Sequence, residues 1–263
     1  MSSVKQLIYD ADLKQQLNGF ASLLEEKKFN EVVEKLKDRG MRSGFTCIFY
    51  GYPGTGKTES VLQIGKLTKR NIWKVDIANI FDKYVGESEK NIRKIFDDYR
   101  ELLKKSKTAP ILLFNEADAV IGKRIENVSQ SVDQMQNTVQ NIILEELENF
   151  EGILIATTNL TVNLDKAFER RFLYKVKFEK PSNEISEQIW KGFIDNLSDK
   201  DAKTLAKEYS LSPGQIENVS RKYTIDNILF DSKEDLFTQL TRYCKEEFFN
   251  DAYNQKSSRR IGF

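Results

Sequence analysis

The chain has 263 residues, of which 40% are hydrophobic and 31% are charged, and its formal net charge is +1. This balance predicts a globular protein with a sizeable core, and it argues against an overall attraction to nucleic acid or to an anionic membrane. The absence of histidine excludes His-based catalysis and His metal ligands, and two cysteines exclude a disulfide framework. Without a signal peptide or a bilayer-spanning apolar run, we expect a cytoplasmic protein with no membrane segment.

The first motif lies between a predicted strand and a predicted helix. Residues 20–39 combine apolar and charged side chains at helical spacing, which predicts one amphipathic helix in the N-terminal segment. Residues 45–50 form an apolar, β-rich run typical of a buried strand, and residues 58–69 predict a helix. Residues 51–58 between them fit G-x-x-x-x-G-K-[ST], the phosphate-binding P-loop, in the context that this motif requires.

The P-loop residues predict a defined chemistry. Glycines let the backbone curl so that successive N–H groups point at phosphate oxygens, and the dipole of the following helix also favours an anion. Lys57 can reach the β- and γ-phosphates, and the Thr58 hydroxyl can ligate Mg²⁺. The residues of this loop that we predict to hold the nucleotide are Gly51, Pro53, Gly54, Thr55, Gly56, Lys57 and Thr58.

Acidic and amide side chains follow a later buried strand. Residues 71–76 predict a second strand, and residues 111–114 predict a third, which ends in Asn115 and Glu116. Because strand ends converge at one edge of a parallel sheet, these side chains are expected beside the metal and the γ-phosphate. We predict that Glu116 polarises the attacking water. Asn115 stands where an aspartate is usual; it can bind Mg²⁺ through a water, but its lack of charge allows weaker binding or slower turnover.

The loop before the predicted helix at 88–105 contains Lys83, Tyr84, Val85 and Gly86. An aromatic residue and a valine beside a glycine would be unusual as mere solvent-exposed residues. Tyr84 therefore either packs beneath the loop or serves a function at the surface.

The remaining segments complete an α/β pattern and then become helical. Residues 152–159 predict a strand ending in Asn159, which holds the attacking water or touches the γ-phosphate, or else is a turn residue. Arg170 and Arg171, in a short predicted helix at 163–172, can supply charge to the transferring phosphoryl group or lie on the surface. The last predicted elements are a helix at 134–150, a strand at 173–179, and helices at 183–196, 200–209, 213–222 and 233–250.

In this order the motifs resemble those of the AAA+ ATPases, in particular the branch with the FtsH-like and katanin-like machines. The corresponding segments are Walker A at 51–58, the first pore loop at 83–89, Walker B at 112–118, the first sensor at 157–159, the arginine-finger segment at 164–172 and the second-sensor region at 212–216.

The resemblance implies an α/β fold of the P-loop NTPase type. This fold is a three-layer sandwich around a parallel five-stranded sheet, followed by a small all-helical lid subdomain. The implied domains are an N-terminal helical segment at 1–44, the nucleotide-binding subdomain at 45–180 and the lid at 181–263. The resemblance also implies ATP and Mg²⁺ as cofactors, with Gly214 and Gln215 near the nucleotide.

The resemblance further implies a ring, usually a homo-hexamer, in which an arginine of one subunit acts on the nucleotide of its neighbour. We favour Arg171 for this role, with Arg170 second, because the two arginines are adjacent here. The pore-loop residues would grip a polypeptide, with Tyr84 as the principal contact. The chain is thus predicted to be the motor module of a bacterial-type protein remodeller, whose substrate protein the sequence does not identify.

Two alternative functions stay open at this point. The first is a nucleotide-gated switch with very slow turnover, which only Asn115 supports. The second is an AAA+ protein that acts on nucleic acid, against which the near-zero net charge and the aromatic loop argue.

Overall fold

The computed structural model of the chain describes residues 7–77, 87–122, 131–161, 164–230 and 234–258. Within these ranges the elements are α1 (Ala11–Leu23), α2 (Glu26–Asp38), β1 (Phe45–Gly51), α3 (Lys57–Leu67), β2 (Ile72–Asp76), α4 (Glu87–Lys105), β3 (Ile111–Asn115), α5 (Asp118–Ile121), α6 (Ser131–Glu148), β4 (Ile153–Thr158), α7 (Lys166–Arg171), β5 (Tyr174–Phe178), α8 (Asn183–Phe193), α9 (Asp199–Glu208), α10 (Pro213–Phe230) and α11 (Leu236–Ser258).

The described residues form two compact units. The first contains those of 12–52 and 57–178, and the second contains those of 5–11, 53–56 and 179–263. The short segment at 53–56, in the middle of the P-loop, is thus grouped with the second unit. The domain boundaries proposed from the sequence, at 44/45 and 180/181, stay predictions.

The first unit is built on a sheet of five parallel strands in the order β2-β3-β4-β1-β5. Parallel neighbours need crossover connections, and helices lie between successive strands of the chain, as the alternating sequence pattern indicates. The predicted α/β fold with a parallel five-stranded sheet is confirmed.

Side chains of β1 alternate between the two faces of the sheet, because successive residues of a strand point to opposite sides. On one face, the ring of Phe45 lies 5.0 Å from that of Phe29 in α2, and the ring of Phe49 lies 6.2 Å from that of Phe20 in α1. On the other face, Ile48 belongs to a core cluster that includes residues of α4 and α6. Helices therefore cover both faces, which makes the unit a three-layer sandwich.

The N-terminal helical segment differs from the prediction of one helix at 20–39. The structure has two helices, α1 and α2, separated at Leu24 and Glu25, and Glu25 has an extended ψ of 133°. The Leu24 carbonyl accepts a hydrogen bond at 2.8 Å from Nε of Arg70, a buried residue whose guanidinium also donates to the Ala109 carbonyl at 2.6 Å. The prediction was wrong because a long-range contact, and not a local breaker, holds the chain in this turn.

The second unit is a helical cluster with its own core. Ser182, Ser198 and Ser212 each lie just before a helix, and each side-chain oxygen accepts a backbone N–H three residues later. This is the usual role of an N-cap serine, which satisfies one of the free N–H groups of the first turn. Helix α10 extends to Phe230, eight residues beyond the predicted end at 222. The completely buried core residues include Trp190, Ala202, Leu205, Ile216, Val219 and Leu240.

Candidate functional site

The register of the sheet brings the polar ends of three strands together. Asp76 at the end of β2 is paired with Asn115 at the end of β3. On the other side of β3, the Thr157 hydroxyl of β4 donates a hydrogen bond to Asn115 Oδ1 at 3.4 Å. Asn115 and Thr157 are buried, whereas Asp76 is exposed. This carboxyl edge is the place where open α/β sheets bind their ligands.

The two ends of the P-loop lie in the first unit. Strand β1 ends at Gly51, whose φ of 135° suits glycine, and a Cβ there would lie 2.0 Å from the Phe178 carbonyl oxygen. Helix α3 begins at Lys57, whose Nζ donates hydrogen bonds to the carbonyls of Gly51 at 2.9 Å and Tyr52 at 2.7 Å. The lysine is therefore folded back onto the start of its own loop.

Burial changes the acidity of this lysine. Lys57 is only 7% exposed, and burial lowers its pKa from the ordinary 10.5 to about 8, while the charges of Asp118 and then Glu116 oppose the shift. An ammonium group with so little solvent around it is weakly screened, so it can attract an anion strongly. Lys57 is thus suited to bind a phosphate.

Within the second unit, the loop residue Gly54 lies against the start of α10. The Gly214 N–H donates to the Gly54 carbonyl at 2.8 Å, and a Cβ on Gly214 would lie 3.1 Å from the Gly54 Cα. Nearby, Gln215 Oε1 accepts the Ser212 N–H at 2.9 Å, which forms a capping box with the N-cap serine. Gln215 therefore has a local structural role, and the contacts of Gly214 and Gln215 with a nucleotide stay predictions.

The other predicted residues of this loop segment differ in exposure. Pro53 is exposed, Thr55 is buried, and Gly56 has a φ of 91°. Their contacts with a nucleotide also stay predictions.

A chain of hydrogen bonds connects the P-loop helix to strands β3 and β2. Thr58 Oγ1 donates to Asn115 Oδ1 at 2.8 Å, and Asn115 Nδ2 donates to Asp76 Oδ1 at 3.0 Å. Because the Thr58 proton is directed at Asn115, the oxygen lone pairs of Thr58 stay available to another partner.

Glu116 occupies a turn at the end of β3. Its φ of 52° lies in the left-handed region, which costs a residue with a side chain about 1 kcal/mol or more. Its N–H donates to Thr157 Oγ1 at 3.1 Å, and its side chain is exposed. Two residues on, Asp118 Oδ1 accepts the N–H of Asn159 at 2.9 Å. These bonds hold the two predicted water-positioning residues, Glu116 and Asn159, at neighbouring strand ends.

The two predicted finger arginines have different surroundings. Arg171 donates to the carbonyls of Leu144 at 3.1 Å and Ala167 at 3.0 Å, and it forms an ion pair with Glu148. Arg170 is exposed, and none of the described residues forms a hydrogen bond or an ion pair with it. The geometry favours Arg170 for a role outside its own chain, and the choice between the two stays a prediction.

The predicted pore loop is not part of this geometry. Lys83, Tyr84, Val85 and Gly86 lie outside the described residues. Their role stays a prediction from the sequence.

Comparison with known proteins decides the family. The family model described as ATPase family associated with various cellular activities (AAA) matches residues 47–180, just over half of the chain. The chain belongs to the AAA family. The matched range of this AAA module includes the P-loop, Asn115, Glu116, Asn159 and both arginines, so the predicted resemblance to AAA+ ATPases is confirmed.

Curated relatives of the AAA module share it as part of longer proteins. Cell division protein C of Sulfolobus acidocaldarius is 29% identical over 177 residues, which cover 63% of the chain and 46% of the relative. The proteasome-associated ATPase of Thermobifida fusca is 28% identical over 228 residues, covering 79% and 38%. The vesicle-fusing ATPase of Caenorhabditis elegans is 34% identical over 157 residues, covering 57% and 18%. The chain thus spans less than half the length of each, and the prediction of an ATPase is confirmed at the level of the family.

The donor chemistry of the AAA module fits Mg²⁺ bound together with a nucleotide. In the described parts of the chain, no group of three or more Cys, Asp or Glu side chains could hold a metal alone. Mg²⁺ prefers oxygen ligands and is usually held by one or two protein groups together with substrate phosphates and water. Thr58, with lone pairs directed away from Asn115, is such a group, and Asn115 Oδ1 can accept a hydrogen bond from a metal-bound water in place of the long 3.4 Å bond from Thr157.

Sequence reasoning missed three residues that the structure places in this cluster. Thr157 bonds both Asn115 and the Glu116 backbone, Asp118 holds the Asn159 backbone, and Asp76 accepts the Asn115 amide. Thr157 and Asp118 stand within recognised motif segments, and Asp76 ends a predicted strand. The available signal was a polar residue at a strand end for Thr157 and Asp76, and an acidic residue shortly after a strand for Asp118. In the described ranges, no helix combines the length and apolar character needed to cross a lipid bilayer.

Proposed function

We propose that the AAA module binds ATP with Mg²⁺ and hydrolyses it to ADP and phosphate. The observation that carries this proposal is the hydrogen bond from Thr58 to Asn115 at 2.8 Å. It joins the start of the P-loop helix to the end of β3, the two elements that hold Mg²⁺ in P-loop NTPases. The buried ammonium of Lys57 in the same helix supports the proposal, because it is poorly screened and suited to phosphate.

Each residue has a distinct task in the proposed reaction. Lys57 exchanges the carbonyls of Gly51 and Tyr52 for phosphate oxygens of the nucleotide. Thr58 directly, and Asn115 through a water, would hold Mg²⁺, which supplies positive charge to the phosphates when bound. Glu116 accepts a proton from the attacking water, and Asn159 orients that water. The backbone bonds to Thr157 and Asp118 keep these two residues in place.

We also propose that a neighbouring copy completes the site within a ring, for which six subunits are expected. The exposed guanidinium of Arg170 supports this proposal, since it is available to the nucleotide of an adjacent subunit. Arginine supplied from outside in this way stabilises the charge of the transferring phosphoryl group. Arg171 would position the segment through its bonds to Leu144 and Glu148.

The work done by hydrolysis is proposed to be the remodelling of a polypeptide. Support comes from the sequence around Tyr84 and from the family. Two of the relatives named above are called proteasome-associated and vesicle-fusing ATPases. These names agree on ATPase activity but differ in what each protein is associated with, so they support no particular substrate.

The test is Mg²⁺-dependent ATP hydrolysis measured over a wide range of protein concentration. We expect specific activity to rise with concentration, because assembly brings an arginine to each site. Glu116→Gln should bind ATP normally but hydrolyse it at least about a hundredfold more slowly, as expected for loss of a general base. ATP binding with negligible turnover at all concentrations would instead support the slow nucleotide switch. Failure to bind ATP at all would refute the proposed site.

A further inference from the structure

The orientation of the Asn115 side chain is determined by the carboxylate of Asp76. An ionised carboxylate only accepts hydrogen bonds, so the Asn115 group that faces Asp76 at 3.0 Å must be the NH₂. The amide oxygen then faces Thr58, at 2.8 Å from its hydroxyl oxygen. A flipped amide would place two acceptors against each other at Asp76 and would present N–H groups to the Thr58 side, where a cation would be repelled.

We propose that Asp76 is a positioning residue of the Mg²⁺ site and supplies the negative charge that Asn115 lacks. This inference rests on the proposed ATPase function. The N–H···O⁻ bond from Asn115 to Asp76 polarises the amide and makes its oxygen a better acceptor for a metal-bound water, because hydrogen bonds in a chain strengthen one another. The carboxylate of Asp76 on β2 and the amide of Asn115 on β3 thus act as a pair. Asn115 lies between the negative charge of Asp76 and the hydroxyl of Thr58.

The main competing explanation is that Asp76 only forms a surface ion pair. Its Oδ1 also lies 3.1 Å from Nζ of Lys74, and the two side chains are 44% and 46% exposed. A pair so exposed contributes little to stability. It also gives no reason for the bond between Asp76 and the buried Asn115. Lys74→Ala therefore separates the two explanations, because it removes the ion pair and leaves the Asn115 bond.

The experiment measures binding and does not depend on turnover. A fluorescent ATP analogue is titrated into the full chain in EDTA and then with increasing MgCl₂, for the wild type, Asp76→Asn, Lys74→Ala and the exchanged variant Asp76→Asn/Asn115→Asp. We expect Asp76→Asn to raise the Mg²⁺ concentration that gives half of the maximal increase in analogue binding by about tenfold, the size typical of groups that support metal ligands. Nucleotide affinity in EDTA should be unchanged, and Lys74→Ala should behave like the wild type.

The exchanged variant supplies the decisive control. It contains the same two functional groups in reversed positions, so it should restore the Mg²⁺ dependence to within about threefold of the wild type. A merely structural role of Asp76 would instead leave the Mg²⁺ dependence of Asp76→Asn unchanged, so that there would be no loss to restore. Unchanged Mg²⁺ dependence in Asp76→Asn, or an equal loss in Lys74→Ala, would overturn the inference while leaving the proposed ATPase function intact. Absence of Mg²⁺-dependent binding in the wild type would instead refute the proposed function.

Discussion

Replacing Lys57 by methionine should reveal the energetic cost of a phosphate-binding lysine in the nucleotide-free protein. The fall in the pKa of Lys57 from 10.5 to about 8 means that burial disfavours its charged form in the folded state. At about 1.4 kcal/mol per pKa unit, the cost below pH 8 is roughly 3 kcal/mol. Lys57→Met removes this cost, although it also loses the two hydrogen bonds to loop carbonyls.

The pH dependence of the free energy of unfolding isolates the cost of burying the charge of Lys57 from the effect of the two lost hydrogen bonds. Below the folded-state pKa the lysine is charged in both states and the full cost applies. As pH rises from about 8 towards 10.5, the folded protein loses the proton before the unfolded chain does, so the cost diminishes. Between about pH 7 and about pH 9.5, the wild type should therefore gain roughly 2 kcal/mol relative to Lys57→Met.

Urea unfolding without nucleotide at these two pH values measures the difference. Lys66→Met is a matched control, since it removes an exposed lysine from the same helix and should show no such change. A difference between the wild type and Lys57→Met that stays constant within about 0.5 kcal/mol would refute the reasoning.

Four further substitutions test other parts of the structure. Tyr99→Phe removes a buried hydroxyl that hydrogen-bonds two backbone groups. It should lower the free energy of urea unfolding by about 2 kcal/mol, and a loss below about 0.5 kcal/mol would contradict this. Arg171→Ala should destabilise the fold by about 2 kcal/mol, whereas Arg170→Ala should leave the melting temperature unchanged and abolish the rise of ATPase activity with concentration. The reverse pattern would assign the external role to Arg171. Asn115→Asp places a second carboxylate beside Asp76, so in the presence of ATP it should lower the melting temperature in EDTA and restore it with Mg²⁺; equal melting in both buffers would argue against a shared metal site.

The strands and the P-loop were predictable because their signals are local. Short runs rich in β-formers, either continuously apolar or alternating apolar with polar, marked all five strands, and the glycine pattern before Lys57 marked the loop. Their parallel arrangement followed from the helices between them.

The contacts that refine this picture depend on residues far apart in the chain. Nothing near Leu24 indicates a helix break, since the contact that holds the turn comes from Arg70. The pairing of Asp76 with Asn115 depends on the register between β2 and β3, which no local pattern specifies. Similarly, the bonds that occupy Arg171 come from helix α6. In each case tertiary geometry decides the role of a residue that the sequence shows only as polar or charged.

The strand order also has a consequence for how the chain is made. Strand β1, which leads into the P-loop, has β4 and β5 as its two neighbours, and its first pair, Phe45 with Ile153, is separated by roughly a hundred residues. During synthesis, β1 therefore leaves the ribosome long before either partner exists, with both of its edges open to other chains. Any truncation before Phe178 would leave the P-loop strand without a complete sheet, so the smallest fragment able to fold around the P-loop must extend at least to the end of β5.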